Sequence, residues 1–365
     1  MKLTFNRKVF QSALRIGGSY AGSNKVLPIL GCVKISIING KCWITSYDQQ
    51  NAIKIKCDII EYEGDIQFCI DSAYIQKHIA CLEAEELELD IDLDKMIAII
   101  ISGTSTTQCP IENAEQYPTP INDQRSTSFK MDASFLLYWM SKGLSFLIDD
   151  EYKPCKECFH FIIKNKEVQL FATDLTKMYY AKMEINTDIE TTLSIHKSAF
   201  KGLSTALKNE SEITIQNGER NIVIIGNDKV LLIRKREMQM PPYERLLEYK
   251  PKFKVRVNKE VLIKALERAS LISSNSKGAL CTFEYREKGI GLTTIDYDTG
   301  RKVEDFIETE GCENISMNYN TRHLLTTIEG ISSEEIELSP TGIKTLLYVY
   351  NCDDDNELTA TCPFM

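Results

Sequence analysis

Apolar residues recur at helical spacing in three segments that superimpose without gaps, each 126 residues after the last. Each segment opens with a short strand-like alternation and then reaches a residue suited to begin a helix: Asn6, Asp132 or Asn258. Their side chains accept hydrogen bonds from unpaired amides of the first helical turn. The pattern therefore predicts a strand followed by an amphipathic helix in each segment.

Two further marks recur in the same order along the chain. A second helix is expected after Asp71, His196 and Asn320, at intervals of 125 and 124 residues. The third mark is a strand that ends in aspartate, at Asp48, Asp174 and Asp296. For these aspartates we favour a turn residue that satisfies its own backbone over a catalytic role. Three marks at nearly one period predict three repeats.

The repeat is far longer than a solenoid unit, so each copy is expected to be a domain. Alternating apolar residues and hairpin signals such as Asn39-Gly40 and Asn217-Gly218 predict strands through the rest of each copy. The sequence thus predicts an α+β fold of three repeated domains, each with two helices packed on antiparallel sheets. The expected domains span residues 1–122, 127–245 and 250–365, with proline-bearing links between them.

Composition limits the possible classes of protein. With 365 residues, 43% of them hydrophobic, the chain is expected to be globular, cytoplasmic and free of membrane spans. Twelve cysteines are scattered through apolar runs, which is typical of reduced thiols. Only Cys155 and Cys158 have metal-site or redox spacing, and no second ligand pair lies nearby. We therefore expect no metal and no cofactor.

Charge is distributed unevenly. The net charge of −9 argues against a protein that coats nucleic acid. The predicted helices nevertheless carry an excess of Lys and Arg, whereas the strand at residues 86–94 holds five acids. For any single helix, the positive charges are explained by an ordinary solvent-exposed face. All six predicted helices, however, share the bias toward positive charge. The pattern fits a ring with basic helices inside and acidic sheets outside. The basic side chains would contact the phosphates of a nucleic acid without recognising its base sequence.

Several motifs, in register with the repeats, resemble the bacterial DNA polymerase III β subunit, the DNA sliding clamp. These are the opening segment 1–5, Leu27-Pro-Ile-Leu-Gly31, Ala172-Thr-Asp174, Met240-Pro-Pro-Tyr-Glu-Arg245 and the terminal segment 362–365. The resemblance covers the whole chain. It implies a non-catalytic processivity factor: a head-to-tail homodimer that closes into a ring around duplex DNA without sequence preference. The polymerase and the clamp loader would bind it through short hydrophobic motifs.

Site residues follow from the resemblance and the charge pattern. The peptide-binding pocket is expected at Thr173, Leu175, Thr176, Lys177, Met178, Pro241, Leu246, Ala360, Cys362, Pro363 and Phe364. The DNA-facing residues are expected to be Arg7, Lys8, Arg15, Asn24, Lys25, Lys77, Lys142, Lys197, Lys201, Lys208, Lys264, Arg268 and Arg322. The dimer interface is expected at Thr107, Cys109, Leu271 and Ile272.

Some positions depart from the family pattern. Leu175-Thr-Lys-Met178 stands where the family commonly has Gly-His-Arg-Leu, so the pocket floor is bulkier. Asn24 stands where the family has a DNA-contacting arginine, and Lys25 can supply the charge.

Two other classes of protein remain open at this stage. An enzyme would need one catalytic site, yet the organised features repeat three times, and no His pair, Gly-rich phosphate loop or G-x-S-x-G motif is present. A repeat-domain scaffold that never closes a ring would be a monomer, and linear and circular DNA would retain it equally.

Overall fold

The computed structural model describes residues 1–22, 24–120, 125–236, 238–272, 279–342 and 345–364. These residues form an α+β fold of helices and antiparallel sheets, as the sequence predicts. Contacts divide the chain into two compact units. Unit 1 holds residues 1–137 and 198–235, and unit 2 holds residues 138–197 and 236–365. The three domain limits remain a prediction, and the expected end of the first, residue 122, lies outside the described residues.

The described α-helices are α1 Arg7–Gly17, α2 Ser72–Ala80, α3 Ala133–Gly143, α4 Phe200–Leu207, α5 Tyr243–Leu247, α6 Lys259–Ser270 and α7 Thr321–Gly330. The first strands are β1 Lys2–Asn6, β2 Cys32–Ile38, β3 Lys41–Tyr47, β4 Asn51–Cys57, β5 Glu61–Tyr62, β6 Ile66–Asp71, β7 Glu86–Asp92, β8 Ile97–Ser102 and β9 Ser105–Pro110.

The middle strands are β10 Arg125–Asp132, β11 Cys158–Lys164, β12 Glu167–Thr173, β13 Lys177–Glu184, β14 Thr191–His196, β15 Glu212–Gly218, β16 Asn221–Gly226 and β17 Lys229–Arg234. The last strands are β18 Val255–Asn258, β19 Leu280–Arg286, β20 Gly289–Asp296, β21 Arg301–Glu308, β22 Ile315–Asn320, β23 Glu335–Pro340, β24 Leu347–Asn351 and β25 Glu357–Thr361.

The predicted helix starts are confirmed. The Asn6 side chain accepts from the amides of Lys8 and Val9, and Asn258 accepts from Val261. Asp132 accepts from the Ser134 amide in the same way. In the second helix of the middle repeat, a short 3-10 turn follows His196 before α4 begins. These caps satisfy amides that have no partner within the helix, and so they fix where each helix begins.

The first hairpin signal is also confirmed, whereas the second is wrong by two residues. Asn39 and Gly40 both have positive φ, 50° and 73°, as the tight turn between β2 and β3 requires. Asn217 instead pairs with Ile222 inside the β15–β16 ladder. It is buried there, so the chain turns only after Gly218.

Each unit contains one eight-stranded antiparallel sheet, and the two sheets are built alike. The order in unit 1 is β6-β2-β3-β4-β17-β16-β15-β10, and in unit 2 it is β14-β11-β12-β13-β25-β24-β23-β18. Both join a strand ladder from one repeat to a ladder from the next, through β4 with β17 and through β13 with β25. This correspondence is the structural expression of the sequence repeat.

The remaining strands form two smaller sheets. Unit 1 has the order β5-β1-β7-β8-β9, and unit 2 has β21-β20-β19-β22. Helices α1 and α2 cover the core of unit 1 with side chains such as Phe10 and Ile75, while α6 and α7 do the same in unit 2 with Leu262 and Leu324. No helix among the described residues is long and apolar enough to cross a membrane.

Candidate functional site

A basic cavity lies in unit 1 where α1, α2 and α4 meet the loop that follows α1. It measures about 560 Å³, and its walls include Arg15, Asn24 and Lys201, three of the residues expected to face DNA. Arg15 and Lys201 are exposed. Asp71 also lines the cavity, but its carboxylate accepts the amide of Tyr74 as the cap of α2. The arrangement suits a phosphate, since its two cations offer charge rather than base-specific contacts.

Close packing of α4 against the end of α1 holds this cavity together. Gly202 lies directly over Tyr20, and a Cβ at that glycine would be 2.5 Å from the Tyr20 hydroxyl oxygen. That hydroxyl donates to the carbonyl of Ala199 at 2.8 Å, and the Tyr20 amide donates to Ser46 Oγ at 3.1 Å. Burial raises the pKa of Tyr20, with Asp48 adding to the effect, so the hydroxyl stays a donor.

Asn24 has a structural task in the loop that carries it. Its side-chain oxygen accepts from the amides of Val26 and Leu27, both at 2.9 Å. The neighbouring Lys25 is exposed. Asn24 therefore shapes the loop that follows it, and the positive charge available at this place belongs to Lys25.

The other residues expected to face DNA differ in their environments. Arg7 donates to the carbonyl of Ala84. Four cations are engaged within their units: Lys197 with Asp149 at 2.9 Å, Lys264 with Glu260 at 2.5 Å, Arg268 with Asp305 at 2.7 Å, and Lys142 over the Tyr138 ring at 5.8 Å. Lys8, Lys77, Lys208 and Arg322 are exposed, and so are Lys264 and Arg268 in spite of their ion pairs. That all thirteen face DNA stays a prediction.

Three of the residues expected in the peptide pocket, Met178, Leu246 and Ala360, lie together on the eight-stranded sheet of unit 2. Met178 and Ala360 are paired across β13 and β25, and both belong to a buried cluster with Leu246 of α5 packed against it. Tyr243 and Tyr348 join the same cluster, although neither was predicted as a pocket residue. Alternation within its own strand could not have placed Tyr348 there, because its position beside Ala360 is set by the pairing of β24 with β25.

A tight turn forms one side of this region. Leu175 has φ of +73° and a side chain that is 44% exposed, and its amide donates to Thr173 Oγ1 at 2.9 Å. Asp174 accepts from the amides of Thr176 and Lys177, which confirms the turn role expected for that aspartate. Asp48 and Asp296 accept from their own following residues in the same way.

Lys177 points away from solvent. Its ammonium donates to Asp174 Oδ2 at 2.8 Å and to the Ser145 carbonyl at 3.0 Å, and both ionised side chains are only 7% exposed. Burial by itself would raise the pKa of Asp174, but hydrogen bonds from Lys177 and Thr176 and the lysine charge lower it overall. The turn is therefore fixed by a buried ion pair.

The C-terminal tail lies beside this turn. The Cys362 amide donates to the Thr176 carbonyl at 2.8 Å, and the Phe364 amide donates to the Asn318 carbonyl at 2.7 Å. The Phe364 side chain is 60% exposed, whereas Pro241 is buried. Leu175 and Phe364 are thus exposed apolar groups near a buried floor of Met178 and Ala360, a suitable arrangement for apolar anchors.

The residues expected at the dimer interface lie near two sheet edges. Thr107 and Cys109 belong to β9, the last strand of its sheet, and Cys109 turns its side chain into the core. Leu271, which directly follows α6, is 79% exposed, whereas Ile272 is 5% exposed. Single exposed apolar side chains are common on protein surfaces, so the dimer interface stays a prediction.

Within the described ranges, no group of three or more His, Cys, Asp and Glu residues is arranged to hold a metal ion. Cys158 is buried, and burial raises the pKa of its thiol to about 12. His160 contacts the Cys155 carbonyl and Ser194 Oγ, so this part of unit 2 is a hydrogen-bonded piece of core.

Comparison with known proteins gives consistent results. Residues 244–363 match the family model for the C-terminal domain of the DNA polymerase III β subunit. The β sliding clamp of Streptococcus pneumoniae is 22% identical over 350 residues, covering 92% of this chain and 91% of that protein. The crystal structure of the DNA polymerase III β subunit of Thermotoga maritima superimposes with a TM-score of 0.92 at 22% identity, covering 100% of this chain and 99% of that one.

A DNA polymerase III β-subunit sliding clamp of Pseudomonas aeruginosa, solved with griselimycin bound, gives a TM-score of 0.93 at 14% identity, covering 100% of this chain and 99% of that one. The structural matches agree on the fold, and the matched C-terminal family model and the near full-length curated relatives carry the same description. This chain is thus similar along its whole length to the bacterial DNA polymerase III β subunits, the sliding clamps.

Proposed function

We propose that two copies of this chain close head to tail into a ring around duplex DNA. As a sliding clamp, the chain is a non-catalytic processivity factor of DNA polymerase. The main support for a ring is the set of β-sheets that the two units contain. Each unit has one complete eight-stranded sheet, and each also has one smaller sheet with an open edge.

The two smaller sheets resemble the two halves of a third sheet of the same order, with the two-residue β5 as an additional strand at the far edge. In the complete sheets, the central pairs are β4 with β17 and β13 with β25. By strand order, β21 occupies the position of β4 and β13, and β9 occupies the position of β17 and β25. Among the described residues neither β9 nor β21 pairs with a strand on its outer side. Pairing β9 of one copy with β21 of another would complete the sheet and remove both edges.

Duplex DNA is the proposed occupant of the ring. The basic cavity at Arg15 and Lys201 supplies charges suited to phosphates, and such contacts are independent of sequence. The acidic remainder of the protein repels DNA from other surfaces. We propose that all the basic helix residues named above line one channel.

The cluster at Met178, Ala360 and Leu246 is the proposed docking place for the polymerase and the clamp loader. Short hydrophobic motifs would place an apolar anchor near the exposed side chains of Leu175 and Phe364. We further propose that the protein works in a reducing cytoplasm, since all twelve cysteines are free thiols.

Sedimentation of the wild type and of Leu271→Asp tests the dimer. Leu271 is largely exposed within the chain, so a charge there costs little in the monomer. At an interface, the lost apolar burial amounts to about 2 kcal/mol, and a buried carboxylate adds more. The dimer should weaken by about 30-fold or more, with an unchanged circular dichroism spectrum. A monomeric wild type, or a variant that dimerises as well as the wild type, contradicts the assignment.

Truncation after Thr361 tests the pocket separately. Binding of a clamp-motif peptide, followed by fluorescence anisotropy, should be lost while the dimer persists. Tyr152→Ala, which changes a 94% exposed side chain on another loop of unit 2, is the matched control. Unchanged peptide affinity after truncation refutes the pocket assignment.

A further inference from the structure

A groove on the outer face of the eight-stranded sheet of unit 1 has the features of a second peptide site. It has a volume of about 390 Å³, within the range of ligand-binding pockets. Its floor is formed by side chains of β3, β4, β16 and β17, and the link at Tyr117–Pro120 forms a wall. It involves none of the residues expected in the DNA cavity, the peptide pocket or the dimer interface.

The floor is apolar and is fixed by strand register. Ala52 pairs with Leu232, and Leu232 pairs with Val223, so the three side chains form one row across the sheet. Trp43 is half-buried beside this row and lies under the ammonium of Lys54, 4.6 Å from the ring centroid. An indole ring beside small aliphatic groups offers a flat surface for one or two apolar side chains.

The wall is held firmly against the sheet. Tyr117 is buried with Cys32 and Cys69, and its hydroxyl donates to the Cys32 carbonyl at 3.4 Å. The amide of Cys69 donates to the Glu112 carbonyl at 2.9 Å, and the amide of Glu112 donates back to Cys69 at 2.8 Å. Tyr117 therefore anchors the start of the link on the sheet, and Pro118 and Pro120, which have no amide hydrogens, line the groove after it.

Charge indicates which peptide fits. The chain has a net charge of −9, yet the residues that line the groove include Lys34 and Lys54 and no Asp or Glu. Neither lysine forms an ion pair within the parts of the chain that the structure describes; Lys34 contacts only the Ala114 carbonyl, at 3.4 Å. Two unneutralised cations beside an apolar floor suit a segment with apolar side chains flanked by carboxylates.

The groove also occupies the sheet position at which unit 2 carries its candidate peptide pocket. The row Tyr47, Ala52, Leu232, Val223 in unit 1 matches the row Thr173, Met178, Ala360, Tyr348 in unit 2, pair for pair. In unit 2 the residues of α5 pack on that row. This parallel rests on the proposed function of unit 2, whereas the shape and charge of the groove do not.

We propose that this groove binds a short extended peptide that carries one or two large apolar side chains flanked by acidic residues. The occupant is a segment of a partner protein, held by the apolar floor at Trp43 and Leu232 and by the cations Lys34 and Lys54. The site gives the clamp a second docking place with a charge preference of its own.

Photocrosslinking to the full-length protein tests the proposal. The probe is an acetylated hexapeptide with one leucine and one photoreactive benzoylphenylalanine, flanked on each side by two glutamates. We expect mass spectrometry to find crosslinks within strands β3, β4 and β17. The double variant Lys34→Glu/Lys54→Glu should reduce them by roughly tenfold, since charge reversal turns two attractions into repulsions. Lys41→Glu, an exposed lysine on β3 outside the groove, should leave them unchanged.

Two controls separate this site from the pocket of unit 2. The crosslinks should persist after truncation at Thr361, and they should disappear when the flanking glutamates of the probe are replaced by lysines. Crosslinks confined to unit 2, crosslinks that ignore both charge changes, or no crosslinks at all would overturn the proposal. If the groove is labelled while the clamp-motif peptide fails to bind the wild type, the second site stands and the unit 2 pocket falls.

Discussion

Replacing Gly202 by alanine should destabilise unit 1 because the added methyl group would overlap the Tyr20 ring. In an ordinary helix, alanine at a glycine position gains about 1 kcal/mol. Here the overpacking costs about 1–3 kcal/mol. If the ring moves aside, the buried hydrogen bond from Tyr20 to Ala199 is lost as well, which costs about 1–3 kcal/mol. With both costs and the helix gain, the net loss in the free energy of unfolding is about 1–5 kcal/mol.

The sign of the effect should reverse in a second background. When Tyr20 is first replaced by alanine, the space over Gly202 is empty, and Gly202→Ala should then stabilise by up to about 1 kcal/mol. Urea unfolding of the four proteins of this double-mutant cycle measures both values. Ser204→Ala, on the same helix, is the matched control and should change the free energy by less than about 0.5 kcal/mol. An equal effect of Gly202→Ala in both backgrounds would refute the packing argument.

Two further predictions concern charge. Arg15→Glu and Lys201→Glu should each weaken binding to random-sequence duplex DNA, and each should reduce the slope of log affinity against log salt by about 1. Anisotropy titrations at several salt concentrations measure both quantities. Lys95→Glu, which changes an exposed lysine of the β7–β8 hairpin outside the cavity, should change neither. A sequence-dependent loss would contradict the phosphate role. Because the folded pKa of Asp174 is lowered, its contribution to stability is present above its unfolded pKa and is lost as pH falls through the folded value. Asp174→Asn should therefore flatten the loss of stability below about pH 4, whereas Asp149→Asn, whose carboxylate is 89% exposed, should change it much less. If the free energy of unfolding of Asp174→Asn falls as steeply with decreasing pH as that of the wild type, Asp174 does not contribute to the acid sensitivity.

Local features of the fold could be predicted from the sequence because their causes are local. Asn6, Asp132 and Asn258 cap helices through amides two or three residues away. The hairpin at Asn39-Gly40 needs only two residues with positive φ. The Asn217-Gly218 signal was misplaced because a long-range partner decided the outcome: β10 pairs with β15 as far as Gly218 and extends the strand past the expected turn.

Sites built across strands were harder to predict. The apolar row in unit 1 joins Ala52 to Leu232, which lie more than one repeat apart along the chain, and no periodicity within either segment predicts that register. The same holds for Tyr348 beneath the proposed peptide pocket of unit 2. The family resemblance places Lys177 in the pocket by position alone, whereas in the folded chain its ammonium donates to Asp174 and to the Ser145 carbonyl.

Retention on DNA of different topology tests most directly whether the protein works as a closed ring. The protein is loaded by a clamp loader onto a nicked circular plasmid and separated from free protein by gel filtration at high salt, where phosphate contacts are screened. A ring stays with the circle and is released when a restriction enzyme linearises it. Equal retention on linear and circular DNA would contradict this account. So would dissociation of the protein from both DNA forms at high salt, since either result means that it does not encircle the duplex.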